Sequence, residues 1–206
     1  MKKHNIILIA LLGSLFFCLD GKLYGQNKFK ASAVAGISAA QLGGDSISGY
    51  DMLGMTVGLR LGYDFKSRFD VAMELLYSQR GSRSSLGFSR SGSNVTALNY
   101  IEIPVYVTIN DWLIEEENYF KVGAFAGLSY GYLISAESTN PLLDGRESEF
   151  KEHDIGVRVG VFYAFTKNII FRTYYSDSLI NLVEGDLFNT DGLNSFYWTF
   201  RLEYAF

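Results

Sequence analysis

Few side chains in this sequence are suited to covalent or metal chemistry. Histidine occurs twice, and only His153, in Glu152-His153-Asp154, lies away from the amino-terminal stretch. An imidazole flanked by carboxylates has the makings of a general base or, with Glu149 and Asp154, of a metal site. Catalysis also needs a second partner that orients the ring, and the sequence names none, so a solvated histidine where a loop meets a strand is the preferred reading. Glu115-Glu116-Glu117 are consecutive carboxylates, whereas a calcium loop alternates its ligands. They read as a solvated acidic turn. No catalytic, cofactor-binding or metal residue is assigned, and no cofactor is expected.

A larger set of charges is patterned. Arg60, Glu74, Glu102, Arg158, Arg172, Arg201 and Glu203 each fall in mid-segment on the face opposite a row of aliphatic residues. On a secreted barrel that face would meet water. In a membrane barrel it would fill the lumen, where both signs must pair because an unpaired buried charge is costly.

The elements that carry these charges are runs of strict alternation. In the clearest, Leu53, Met55, Val57, Leu59, Leu61, Tyr63 and Phe65 alternate with Gly54, Thr56, Gly58, Arg60, Gly62 and Asp64. Similar runs cover 28–40, 69–80, 96–110, 119–135, 154–165, 169–176 and 196–206, eight in all. Long polar connections at 41–51, 82–95, 137–152 and 177–195 alternate with short ones near 66–68, 115–117 and 166–168. All long loops then emerge at one end, the asymmetry of an outer-membrane barrel. The expected fold is all-β, an eight-stranded antiparallel transmembrane β-barrel. Pro104 removes a ladder donor within the fourth run and argues for a bulge there.

The composition agrees: 16% aromatic, 21 glycines, and only 2 prolines in 206 residues. Residues 1–25 read as a signal peptide: Lys2 and Lys3, an apolar run from Ile6 to Leu19, and Leu23-Tyr24-Gly25 ahead of Gln26. Residues 26–206 form the barrel domain. Phe17 before Cys18 argues against lipidation, so the mature chain keeps no cysteine for a disulfide, a nucleophile or a thiolate site. The net charge of −4 and the lack of a basic block exclude nucleic acid as a partner.

The last run decides which way the oily face looks. Phe196, Trp198, Phe200, Leu202, Tyr204 and Phe206 share one face and end the sequence on an aromatic. Glycines interleave with the charges, relieving a crowded interior. Aromatics at strand ends, among them Tyr63, Phe65, Phe69, Tyr77, Tyr130, Tyr132, Tyr163, Phe165 and Tyr175, suit interfacial girdles. Lipid is therefore expected outside.

The chain resembles the PorT-type outer-membrane β-barrel family, also labelled porin-family proteins. The likeness rests on Tyr77-Ser78-Gln79-Arg80-Gly81, Leu98-Asn99-Tyr100-Ile101-Glu102-Ile103-Pro104, Val122-Gly123-Ala124-Phe125-Ala126-Gly127, Asp154-Ile155-Gly156-Val157-Arg158-Val159-Gly160 and Leu202-Glu203-Tyr204-Ala205-Phe206. It implies an eight-stranded barrel in a Gram-negative outer membrane, with Phe206, beside Tyr204, as the signal read by the barrel-assembly machinery. One branch of the family serves assembly of a protein-secretion system. The function expected is non-enzymatic: a monomeric structural, assembly or secretion-associated envelope component working through its long outer loops. A small-solute porin is the alternative, and a lipid-modifying enzyme based on His153 a weaker one. Expected partners are membrane lipid, lipopolysaccharide and other envelope or secretion proteins. Arg83 and Arg90 are candidates for lipopolysaccharide phosphates, although a loosely solvated loop is preferred for them.

Overall fold

A run that alternates branched or aromatic residues with small or polar ones presents two unlike faces, which is what a strand between lipid and a polar interior requires. The computed structural model describes residues 28–44, 49–84, 94–141, 145–183 and 192–206. The signal segment 1–25, Cys18 and Arg90 lie outside them. The eight runs form β1 (Phe29–Gly43), β2 (Met52–Lys66), β3 (Phe69–Arg83), β4 (Val95–Ile114), β5 (Tyr119–Ser138), β6 (His153–Ala164), β7 (Ile169–Ser178) and β8 (Asn194–Ala205). Each strand pairs antiparallel with the next, and β8 closes on β1, from Ser32 opposite Ala205 to Gly43 opposite Asn194. Closure satisfies every edge, as a bilayer demands.

The oily face looks outward. Leu59 (57% exposed), Leu75 (55%), Ile109 (55%) and Val159 (57%) form a belt that water would not tolerate and lipid would. Aromatic residues edge the belt. At the short-turn end, rings meet in the pairs Phe29–Tyr63, Tyr163–Phe165 and Tyr204–Phe206 at 4.9, 5.2 and 6.0 Å. At the long-loop end, Tyr50 packs against Phe196 and Tyr175 against Trp198.

Three details differ from the sequence expectation. Pro104 makes no bulge: it pairs in register with Ser129, and the β3–β4 ladder merely skips Glu74 and Leu75 before resuming with Leu76 opposite Glu102. A missing donor can be left as a gap where the neighbour's register is held on both sides, and the irregularity falls at Asn99/Tyr100 instead. Second, β3 and β5 run further toward the long-loop end than their polar composition implies, so that Ser82 and Arg83 are buried rather than solvated. Third, the β4–β5 hairpin projects past its neighbours. Its pairs Leu113–Phe120 and Ile114–Tyr119 lie beyond the last partners in β3 (Phe69 opposite Ile109) and β6 (Tyr163 opposite Val122), and Glu115, Glu116 and Glu117 are exposed at its tip.

Candidate functional site

An eight-stranded barrel has an interior just wide enough to be filled by side chains. The inward positions of β2, β3, β4, β6, β7 and β8 deliver Arg60, Glu74, Glu102, Arg158, Arg172, Arg201 and Glu203 into it, all at 5% exposure or less. The same parity brings in Asp70, Arg80 and Asp154, giving five arginines against five carboxylates in two ion-paired groups joined through the Tyr106 hydroxyl. Balanced, hydrogen-bonded pairing is the condition for holding so many charges away from water.

The network is continuous from mouth to base. Nearest the long loops, Arg80 bonds Asp154 at 2.7 Å, approaches Glu102 at 3.4 Å and lies 3.9 Å over the Tyr100 ring. Glu102 also accepts from Arg158 Nη2 (2.9 Å) and the Tyr197 hydroxyl (3.0 Å). At mid-height, Glu74 receives both Nη groups of Arg201 and the Tyr106 hydroxyl, with Arg158 Nη1 3.6 Å away. Tyr106 is the joint: it donates to Glu74 and accepts from Arg60 Nε at 2.9 Å. At the base, Arg60 Nη2 bonds Asp70 (2.9 Å), and Glu203 holds Arg172 Nε (2.5 Å) with Arg60 Nη1 at 3.6 Å.

The outer mouth is closed differently. Leu42, Leu98 and Tyr100 from the strands pack with Phe150, Leu182, Val183 and Leu193 from the third and fourth long connections. Backbone bonds tie these loops together, Lys151 N to Leu182 O at 2.8 Å and Leu182 N to Leu193 O at 2.6 Å. A ring of apolar side chains thus caps the charged column. Its apolar residues were visible in segments read as polar loops, but period-two reasoning has nothing to say about residues between strands.

The arrangement imagined around His153 is not formed. Successive strand residues face opposite ways, so Asp154 points into the lumen, bonded by Arg80 and Ser178, while His153 points outward. There its Nδ1 lies 2.7 Å from the Tyr130 hydroxyl, its ring stacks on Tyr130, and the Tyr132 ring lies tilted against it at 5.5 Å. Glu149 belongs to an exposed single helical turn, Glu147–Glu149. Among the described residues no group of three His, Cys, Asp or Glu side chains is placed to hold a metal ion. Tyr204 and Phe206 turn away from the lumen at the short-turn end, and Phe206 N bonds Ala31 O at 3.1 Å.

A closed strand cylinder with an apolar exterior and an ion-paired interior defines an integral outer-membrane β-barrel protein. The chain belongs to the family of the outer membrane protein beta-barrel domain, whose model matches residues 24–184. No curated protein sequence matches it significantly. Among solved structures, it is similar to Ail, the attachment invasion locus protein of Yersinia pestis, at 15% identity and a TM-score of 0.48, covering 87% of this chain and 99% of that one. It is similar to Neisserial surface protein A at 16% identity and a TM-score of 0.48, over 86% and 97%. The corresponding values for OprG from Pseudomonas aeruginosa are 9% and 0.42, over 86% and 94%.

Proposed function

We propose that this protein is a closed, non-conducting, non-enzymatic barrel of the PorT type that serves as a structural, assembly or secretion-associated component of the envelope. The observation that carries this reading is the double obstruction of the lumen, by the arginine–carboxylate column and by the apolar cap above it. A solute path would have to break both. The protein is exported on a cleaved signal peptide and inserted through recognition of its Tyr204–Phe206 end. It then works as a monomer among lipid and lipopolysaccharide, offering its long loops to other envelope or secretion proteins.

Planar-bilayer recording tests the obstruction. The purified barrel is expected to give no stable conductance steps; reproducible single-channel steps would restore the porin reading. Affinity capture from native membranes tests the other half. Recovery of a defined envelope or secretion complex is expected, and recovery of the barrel alone would count against an assembly role.

A further inference from the structure

The acids inside this barrel are paired with arginines, and at the short-turn end Asp64 holds Lys30 at 2.8 Å and Asp111 holds Arg68 at 3.2 Å. Asp177 is placed differently. Alternate residues of a strand face opposite ways, so Arg172, Tyr174, Ser176 and Ser178 of β7 point inward, while Asp177 stands on the outer wall between Val157 of β6 and Phe196 of β8. It takes part in none of the ion pairs among the described residues. The charge that bears on it is Asp154, of the same sign and itself held by Arg80. Asp177 is half-buried, with Oδ1 enclosed and making no hydrogen bond. A carboxylate in such a place, at the upper edge of a lipid belt, calls for a cation.

Four aromatic side chains around Asp177 say which kind. Phe196 lies opposite it in register, and Tyr175, next on the same face, lies opposite Trp198. Tyr50 reaches over from the first long connection, meets Phe196 edge-on at 5.7 Å and hydrogen-bonds Tyr175. Tyr175 and Trp198 meet at 5.5 Å, tilted by 53°. Edge-on and tilted contacts leave ring faces open, and Trp198 is 42% exposed. Ring faces grouped beside a carboxylate are suited to an alkylammonium ion. Elsewhere on the barrel such faces already carry a cation, Lys121 lying 4.8 Å over Trp112 and Arg80 3.9 Å over Tyr100. Among the described residues no lysine or arginine lies over Tyr50, Tyr175, Phe196 or Trp198.

We propose that this patch binds the ammonium headgroup of an ethanolamine phospholipid, with Asp177 as its counter-ion and the rings of Tyr50, Tyr175 and Trp198 as its seat. Lipid is favoured over a lysine of a protein partner because the patch runs without a break into the exposed apolar wall of Val157, Val159, Phe200 and Leu202, where the chains of the same molecule would lie. A purely anionic headgroup would meet the carboxylate and be repelled. The site goes beyond the envelope role proposed above and does not depend on it, since a barrel that conducts would carry the same outer wall.

The test places the folded barrel in nanodiscs of equal parts phosphatidylethanolamine and phosphatidylglycerol and counts, by native mass spectrometry, the lipids that leave with it. Phosphatidylethanolamine is expected in excess by about fivefold or more, the size of one cation–π contact and one exposed ion pair together. Asp177→Asn and Trp198→Leu should each lower that excess by about twofold or more, and Asp177→Lys should turn it in favour of phosphatidylglycerol. Both positions face lipid, so the variants should keep the heat-modifiable fold of the parent. Trp112→Leu removes a ring that Lys121 already covers and should leave the excess unchanged. Equal retention of the two lipids, an excess that survives either Asp177→Asn or Trp198→Leu, or an equal fall in Trp112→Leu would overturn the proposal. So would displacement of the bound lipid by a soluble lysine-containing peptide at equal concentration, which would give the patch to a protein partner instead.

Discussion

Replacing Glu74 by Ala is expected to destabilise the barrel by about 3–5 kcal/mol, the cost of breaking a buried ion pair by deleting one partner. Glu74 lies where most of the column converges: both Nη groups of Arg201, the Tyr106 hydroxyl and Arg158 Nη1 all turn toward it. Arg158 retains Glu102 at 2.9 Å, but Arg201, with its side chain fully buried, loses the carboxylate that both its Nη groups contact. Urea unfolding in lipid vesicles, or the temperature at which the folded band disappears from an unboiled gel, measures the loss. The double variant Glu74→Met with Arg201→Met should recover most of it, because removing both charges leaves neither stranded. A Glu74→Ala barrel as stable as the parent would mean that water reaches this depth and the column is not a dry network.

That expectation depends on knowing which arginine meets which carboxylate, and this marks the limit of what the sequence tells. Parity alone places Arg60, Glu74, Glu102, Arg158, Arg172, Arg201 and Glu203 on the inward face, because a strand has only two faces. The same parity in the runs 69–80 and 154–165 places Asp70, Arg80 and Asp154 there too, but they lie near the ends of those runs, where a search for charges in mid-segment passes over them. Pairing is another matter. Arg60 sits directly opposite Glu74 in the β2–β3 register, yet bonds Asp70 and Tyr106 and leans toward Glu203. Glu74 instead takes Arg201, from a strand on the other side of β1 and β2. Arg172 and Arg201 face each other across the β7–β8 ladder, a like-charge pair that would repel, and each is answered by a carboxylate, Glu203 or Glu74. Such contacts are set by strand tilt and by the width of the closed cylinder, which a linear pattern does not carry. The apolar cap is hidden for a similar reason: Phe150, Leu182 and Leu193 acquire a common place only when the mouth brings their loops together.

The second large effect comes from a residue with no side chain. Gly160→Leu is expected to abolish the folded, heat-modifiable barrel, at a cost above the roughly 1–3 kcal/mol of ordinary overpacking. Gly160 lies between Phe125 on β5 and Tyr174 on β7, opposite each in register, and those rings meet over it at 6.2 Å. A Cβ here would come within 2.4 Å of the Thr173 carbonyl oxygen, 2.5 Å of Tyr174 Cβ and 2.7 Å of the Phe125 ring. Two of those three obstacles are fixed to the backbone, so no change of rotamer relieves them. Phe125→Ala should therefore rescue the variant only in part, since it clears the ring and leaves the carbonyl in place. Val159→Leu, one residue away on the lipid face and 57% exposed, should fold like the parent. If Gly160→Leu folds equally well, the two rings do not close over that position, and the lumen at this height has room that the close approach of Phe125 and Tyr174 denies.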